Sequence, residues 1–264
     1  MNVWQLLNIL IANGAKMTKI EQAKRIEELE RLLAINEIIT EKKPKTTSYS
    51  FSTTSYEKLR ELMDISLNFD NSIFDDWFNS DLKLNDDVEP FLIQLLEQEA
   101  YILKYYNEED LKMYFLSQIF NHIKFKMKDK NFRFFSKENL KYEADNFILN
   151  GTPDFFIAKG LDYPQKPYFF IQEFKQEKGS TDPEYQLLAE LICGAELNDW
   201  RFIKGAYIRG IQWRFMILER FEKHKYQYFV SKSFDSSEIN GLRAIYKNLI
   251  YVKNEVIEMI DRGE

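Results

Sequence analysis

The chain has 264 residues, 45% of them hydrophobic and 16% aromatic, which suffices for one large domain or a core domain with a smaller attachment and argues against disorder. The formal net charge of −6 is uneven: residues 1–100 carry 11 Lys/Arg against 18 Asp/Glu, and the remainder 25 against 24. The acidity belongs to the front, and the near-neutral remainder permits a polyanionic partner without demanding one. The longest apolar runs fall short of the roughly 18–20 residues a membrane span needs. Met1 to Ala12 is apolar but lacks a basic flank and a small-residue cleavage site, so it reads as a helix and not a signal peptide. A lone cysteine, Cys193, cannot close an internal disulfide, which suits a reducing, cytoplasmic setting. Within Leu191-Ile192-Cys193 it reads as a buried inert thiol. Two histidines, His122 and His224, cannot supply a His-rich zinc site. Any metal here is therefore hard and oxygen-bound, which means Mg2+ or Mn2+.

In chain order, residues 3–12 and 17–39 read as helices broken at Asn13-Gly14. Ile20, Ala23, Ile26, Leu29 and Leu33 form one apolar stripe on the second, suited to docking on a partner or on the body. Lys42 to Ser55 reads as a linker, Tyr56–Leu67 as a short helix, and Asp86–Tyr106 as a longer one. Residues 1–105 are thus expected to form a helical N-terminal region, and 106–264 a separate α/β domain. Asn107 followed by Glu108-Glu109-Asp110 marks a helix start, because acids suit the positive helix terminus. Leu111, Phe115, Ile119 and Ile123 continue at helical spacing. Phe132–Ser136, Asn146–Leu149, Phe155–Ala158 and Tyr168–Phe174 read as strands. Asp182-Pro183 opens another helix, with Pro at a tolerated first position. Ile203–Ile208 and Gln212–Leu218 form a hairpin around Arg209-Gly210, Tyr226–Ser231 is a further strand, and Ser237–Ile260 is a terminal helix. The order predicts a mixed central sheet flanked by helices.

The chemistry-bearing residues cluster between Gly151 and Lys175. Side chains two apart on a strand share a face, so Glu173 and Lys175 project together while Phe174 points into packing. Asp154 heads the preceding strand, and pairing of the two strands brings its carboxylate beside Glu173. Two carboxylates with the Phe174 carbonyl and waters suit an octahedral Mg2+ shell. Each residue also has a structural reading. Pro153-Asp154 fits a turn, and Glu173 and Lys175 fit the solvated face of an edge strand. Phe169 and Ile171 instead suggest a central strand, on which a buried Glu and Lys need partners. Trp213 reads as core packing, with base stacking as the alternative. Lys124, Lys126, Lys128, Lys130 and Arg133, interleaved with Phe, suit either a phosphate backbone or a half-exposed strand.

Pro153-Asp154 and Glu173-Phe174-Lys175 resemble the motif of the PD-(D/E)xK, or restriction-endonuclease-like, nuclease superfamily. The resemblance implies a restriction-endonuclease-like mixed sheet flanked by helices. Asp154 and Glu173 would bind Mg2+ or Mn2+, and Lys175 would activate water or stabilise charge during phosphodiester hydrolysis. It also implies supporting roles for Glu108, from the preceding helix, and Gln186, from the following one. Glu108 fits a plain helix terminus as well, and Gln186 a solvated helix position. One branch of the superfamily has tyrosine where this chain has Glu190. On the resemblance, nucleic acid, DNA in particular, is the substrate, in restriction or defence. A homodimer through the N-terminal helices would then cut two strands. A catalytically inactive nuclease-fold module that binds nucleic acid or a protein is the alternative.

Overall fold

The computed structural model describes residues 18, 21, 23–32, 46–175 and 182–263. The chain divides into two compact units, Met1–Thr47 and Ser48–Glu264. In the first, residues 23–32 are helical. Thr18 and Glu21 exchange the reciprocal hydrogen bonds of a capping box, Thr18 N–H to Glu21 Oε2 at 2.8 Å and Glu21 N–H to Thr18 Oγ1 at 3.3 Å. The helix expected over 3–12, most of the rest of 17–39, and the dimer contact assigned to them lie outside the described residues.

The second unit contains strands β1 (Thr47–Ser50, at the boundary), β2 (Asp64–Asn68), β3 (Phe132–Ser136), β4 (Leu140–Glu143), β5 (Phe147–Gly151) and β6 (Phe155–Lys159). These are followed by β7 (Gln165–Lys175), β8 (Phe202–Arg209), β9 (Gln212–Glu222), β10 (Lys225–Val230) and β11 (Phe234–Asp235). Its main helices are α1 (Tyr56–Leu62), α2 (Val88–Glu99), α3, α4 (Pro183–Asn198) and α5 (Ile239–Asp261). The helix α3 has three parts: Glu108–Asp110, a π-helical stretch Leu111–Leu116, and Ser117–Ile123. An eight-stranded mixed sheet runs in the order β2-β10-β9-β8-β7-β6-β3, with β11 paired to β9. The pairs β7–β8 and β2–β10 are parallel and the other pairs antiparallel. A small sheet, β1-β5-β4, is separate.

Alternation along the strands feeds two cores. From β7, Phe170 and Phe174 pack with Leu92 of α2, Phe115 and Ile119 of α3, and Leu249 of α5. Ile171 faces the other way, toward Leu187, Leu188 and Leu191 of α4, with Phe135 and Phe156 in the same core. Every residue of α4 from Gln186 to Ala195 is buried, as befits a helix apolar on most of its surface. Asp182 caps it by accepting Glu184 N–H at 3.1 Å, and Pro183 stands at its first turn. Trp213 is buried in the first core, as its strand position implied, and Cys193 in the second. Gly210 has φ +59° at the first of the two residues linking β8 to β9, where glycine avoids the strain of a positive φ.

The mixed sheet flanked by helices is present; the all-helical reading of residues 1–105 is not. Residues 64–68 form an edge strand of the main sheet, with Ile65 opposite Tyr226, because Ile65 and Leu67 alternate with polar residues. The expected linker includes β1 and a buried Phe51 packed in the α4 core. Trp77 lies buried against α5, its Nε1–H donating to Asn248 O at 3.0 Å. Residues 48–105 thus complete the α/β unit, and a boundary at 105/106 would cut through its core. The helix expected over Asp86–Tyr106 stops at Glu99 and gives way to a 3-10 turn over Leu103–Tyr105. Of the Lys/Phe-rich stretch 124–135, the strand begins only at Phe132, after a turn in which Lys124 and Asn131 take positive φ.

Candidate metal and catalytic site

The site forms where β6 begins and β7 ends. Phe155 pairs with Gln172 in antiparallel register, which sets Asp154 opposite Glu173. Asp154 is 8% exposed and both its oxygens are engaged: Oδ2 accepts the Phe174 N–H at 2.9 Å and Oδ1 accepts the Lys112 ammonium at 2.5 Å. Glu173 is 1% exposed, and its Oε1 accepts the Lys175 ammonium at 2.5 Å. Its Oε2 is buried without a hydrogen-bond donor. Phe174 points into the opposite core, its ring 5.4 Å from Phe155 in an edge-to-face contact. The alternation expected for Glu173-Phe174-Lys175 is therefore present.

On the Glu173 side of the sheet, α4 contributes Gln186 and Glu190, four residues apart on one helix face. Gln186 Nε2 donates to Glu190 Oε1 at 3.3 Å, whereas Gln186 Oε1 and Glu190 Oε2 are buried without donors. On the other side, Lys112 enters from the π-helical part of α3, with its ammonium 5.6 Å from the centre of the Phe174 ring. Glu108 is the first helical residue of α3, which Asn107 caps by accepting Asp110 N–H at 2.9 Å. It is half-buried and acts on Lys175 through its charge. The neighbouring Glu109 lies 3.7 Å from the Lys112 ammonium and 2.8 Å from that of Lys137.

Burial, reinforced by the charge of Asp154, pushes the Glu173 carboxyl up to about 7 against the opposing pull of Lys175. Burial, then the charge of Glu173, raises Glu190 well above the usual carboxylate range. Burial works against the Lys175 ammonium, but Glu173 outweighs it and, with Glu108 and Asp154, holds Lys175 above its ordinary value. Two acids on the strands thus face two lysines, and a third, buried acid comes from α4. Both histidines are engaged elsewhere. His122 stacks on Phe91 and bonds the Tyr246 hydroxyl at 2.7 Å, and His224 bonds the Tyr142 hydroxyl at 2.8 Å.

Among the described residues no group of three or more His, Cys, Asp or Glu side chains is placed to hold a metal ion. Mg2+ commonly takes only one or two carboxylates and keeps several waters, so the pair Asp154 and Glu173 is the relevant test. One buried carboxylate oxygen without a donor, Glu173 Oε2, fits a hard cation. The Lys112 ammonium on Asp154 opposes one. An open cleft lies at the same end of the sheet, where Lys175 and Arg209 are register partners; Glu184, Tyr207, Arg209, Gln212 and Arg214 line it.

Asp154, Glu173 and Lys175 come together as the motif implied, Gln186 faces inward, and Glu108 stands close enough to act by charge. Lys112 escaped the motif reading, and Glu190 entered it only as the place of a missing tyrosine, yet both leave a signal. Lys112 lies one helical turn before Phe115 and Leu116, on the apolar stripe of its helix, and Glu190 lies among Leu187, Leu188, Leu191 and Ile192. A charge on an apolar stripe implies a buried partner.

No family model and no curated protein matches the chain. Among solved structures, a chain of the cryoEM DrdV–DNA complex is similar over 62% of this chain at 14% identity, with a TM-score of 0.35. This chain spans 14% of the length of that one. The likeness is too slight to assign a fold family or an activity.

Proposed function

We propose that the protein is a Mg2+- or Mn2+-dependent nuclease of the PD-(D/E)xK kind that hydrolyses phosphodiester bonds in DNA. The observation that carries this reading is the pairing of Asp154 with Glu173 across two adjacent strands, with the Lys175 ammonium on the same carboxylate. Asp154 and Glu173 would hold the ion, Glu173 offering the oxygen that has no donor. When bound, such an ion supplies a Lewis acid for a phosphoryl oxygen and a water of lowered pKa. Lys175 is held above its ordinary pKa, so at neutral pH it is an ammonium. That favours stabilising charge on the phosphoryl group over removing a proton from water. Gln186 and Glu190 present hydrogen-bonded polar groups behind Glu173, and burial raises the Glu190 carboxyl well above the usual range, which disfavours a further negative charge there. No covalent intermediate is required. DNA as the substrate class, a role in restriction or defence, and a cytoplasmic setting belong to this proposal through the motif resemblance and the lone cysteine. Among the described residues no helix is long and apolar enough to cross a membrane.

Purified protein incubated with circular and linear DNA in Mg2+ or Mn2+ should nick it. Lys175→Ala should lower the rate by about 10^2-fold or more, the scale on which one electrostatic group acts. Undiminished nicking by that variant would remove Lys175 from the mechanism. A second reading, a nuclease-fold module that binds nucleic acid or a partner without cutting, is favoured by one observation: both oxygens of Asp154 are already taken, one of them by Lys112.

A further inference from the structure

We propose that Lys112 is a resident counter-ion that occupies Asp154 in place of a divalent metal, and that it must swing to Glu109 before the metal can bind. This rests on the proposed metal site at Asp154 and Glu173.

Four observations carry it. The Lys112 side chain is 8% exposed, so its ammonium has little water to return to and needs a carboxylate partner. It pairs with Asp154 Oδ1, one of the two oxygens a metal would use, the other accepting a backbone N–H. A second acceptor stands ready: Glu109 Oε1 is 3.7 Å from the same nitrogen. Rotation about the lysine stem can therefore exchange a buried partner for the half-free Glu109, which Lys137 also neutralises. Finally, Lys112 projects from a π-helical stretch, where the widened turn departs from regular α geometry.

A tethered ammonium and a divalent ion on one carboxylate oxygen repel each other, so each disfavours the other there. Lys112 therefore sets metal affinity by competition, and in the metal-free site it compensates the charge of Asp154. A lysine that merely packed or positioned Asp154 would do the reverse, since its loss would disorder the ligand and weaken binding.

The test measures Mn2+ binding by titration calorimetry on the full chain for wild type, Lys112→Met, Lys137→Met and Glu109→Gln. Lys112→Met should bind Mn2+ at least about tenfold more tightly than wild type, because a buried pair has been removed from the competition. Lys137→Met removes an equal charge from a more exposed neighbour and should change the affinity by no more than about twofold, since exposed charges are screened. Affinity in Lys112→Met equal to or weaker than wild type overturns the proposal, and so does an equal gain in Lys137→Met. If Lys112→Met does not fold, Glu109→Gln decides. Loss of the alternative partner should weaken Mn2+ binding severalfold, and an unchanged or tighter affinity overturns the proposal. Wild type that binds no Mn2+ beside a Lys112→Met that does would uphold Lys112 as the occupant of Asp154 but overturn its release to Glu109, and would defeat the nuclease reading. Wild type that binds, with no gain in Lys112→Met, would overturn the proposal and spare the nuclease reading. Binding by neither overturns both.

Discussion

Replacing Glu173 by Gln should alter the pH dependence of stability in a fixed direction. In the unfolded chain this carboxyl ionises near its ordinary 4.5; in the folded protein burial holds it protonated up to about 7. Between those values the folded state keeps a proton that the unfolded state has released, so a rising pH favours unfolding. The interval is about two and a half pH units, and each unit corresponds to about 1.36 kcal/mol, so the full effect is about 3 kcal/mol. Below pH 4.5 the acid is neutral in both states and Gln resembles it. Wild type should therefore lose about 3 kcal/mol relative to Glu173→Gln as the pH rises from 4.5 to 7.5. Because the charges of Glu190 and Glu173 act on each other, the comparison belongs in a Glu190→Gln background. The assay is urea unfolding with chelator present at half-unit pH steps, with the two free energies subtracted at each pH to cancel the other groups. A difference that stays flat, or that changes in the opposite sense, would refute the assignment of a desolvated, proton-holding Glu173.

Two further outcomes probe the scaffold. Gly205→Ala should destabilise the protein by about 1–3 kcal/mol in thermal unfolding. The new Cβ would stand 2.7 Å from the Ile171 carbonyl oxygen and 3.0 Å from Leu191, on the strand next to the site; an unchanged Tm would show that β7, β8 and α4 are less tightly packed than described. Trp77→Ala should cost about 3–5 kcal/mol in denaturant unfolding, because a fully buried indole is lost together with its bond to Asn248. A cost below about 1 kcal/mol would separate residues 64–78 from the main core and restore the boundary near residue 105.

The sequence makes the centre of this fold legible and its margins much less so. The strands β6, β7, β8 and β9 and the helices α4 and α5 announce themselves through unbroken apolar runs, a Pro after a capping Asp, and a glycine hairpin. The strand β2 does not, because Ile65 and Leu67 follow the helical Leu59 and Leu62 without a break and alternate over only five residues. Its pairing with β10 is a contact between residues about 160 positions apart, which no local pattern encodes. At the site, Asp154, Glu173 and Lys175 follow from strand alternation. Their counterparts Lys112 and Glu190 come from helices on opposite faces of the sheet, and only the folded chain sets them against the same carboxylates. What betrays these two in the sequence is a charged residue placed on an apolar stripe, a signal independent of the motif.

The central claim is that Asp154 and Glu173 share one divalent ion. Calorimetric titration of the wild-type protein with Mg2+ tests it directly. Uptake of one ion per chain is expected, lost in Asp154→Asn and in Glu173→Gln, while circular dichroism shows both variants folded. No uptake by the wild type, or uptake that persists in both variants, would contradict it.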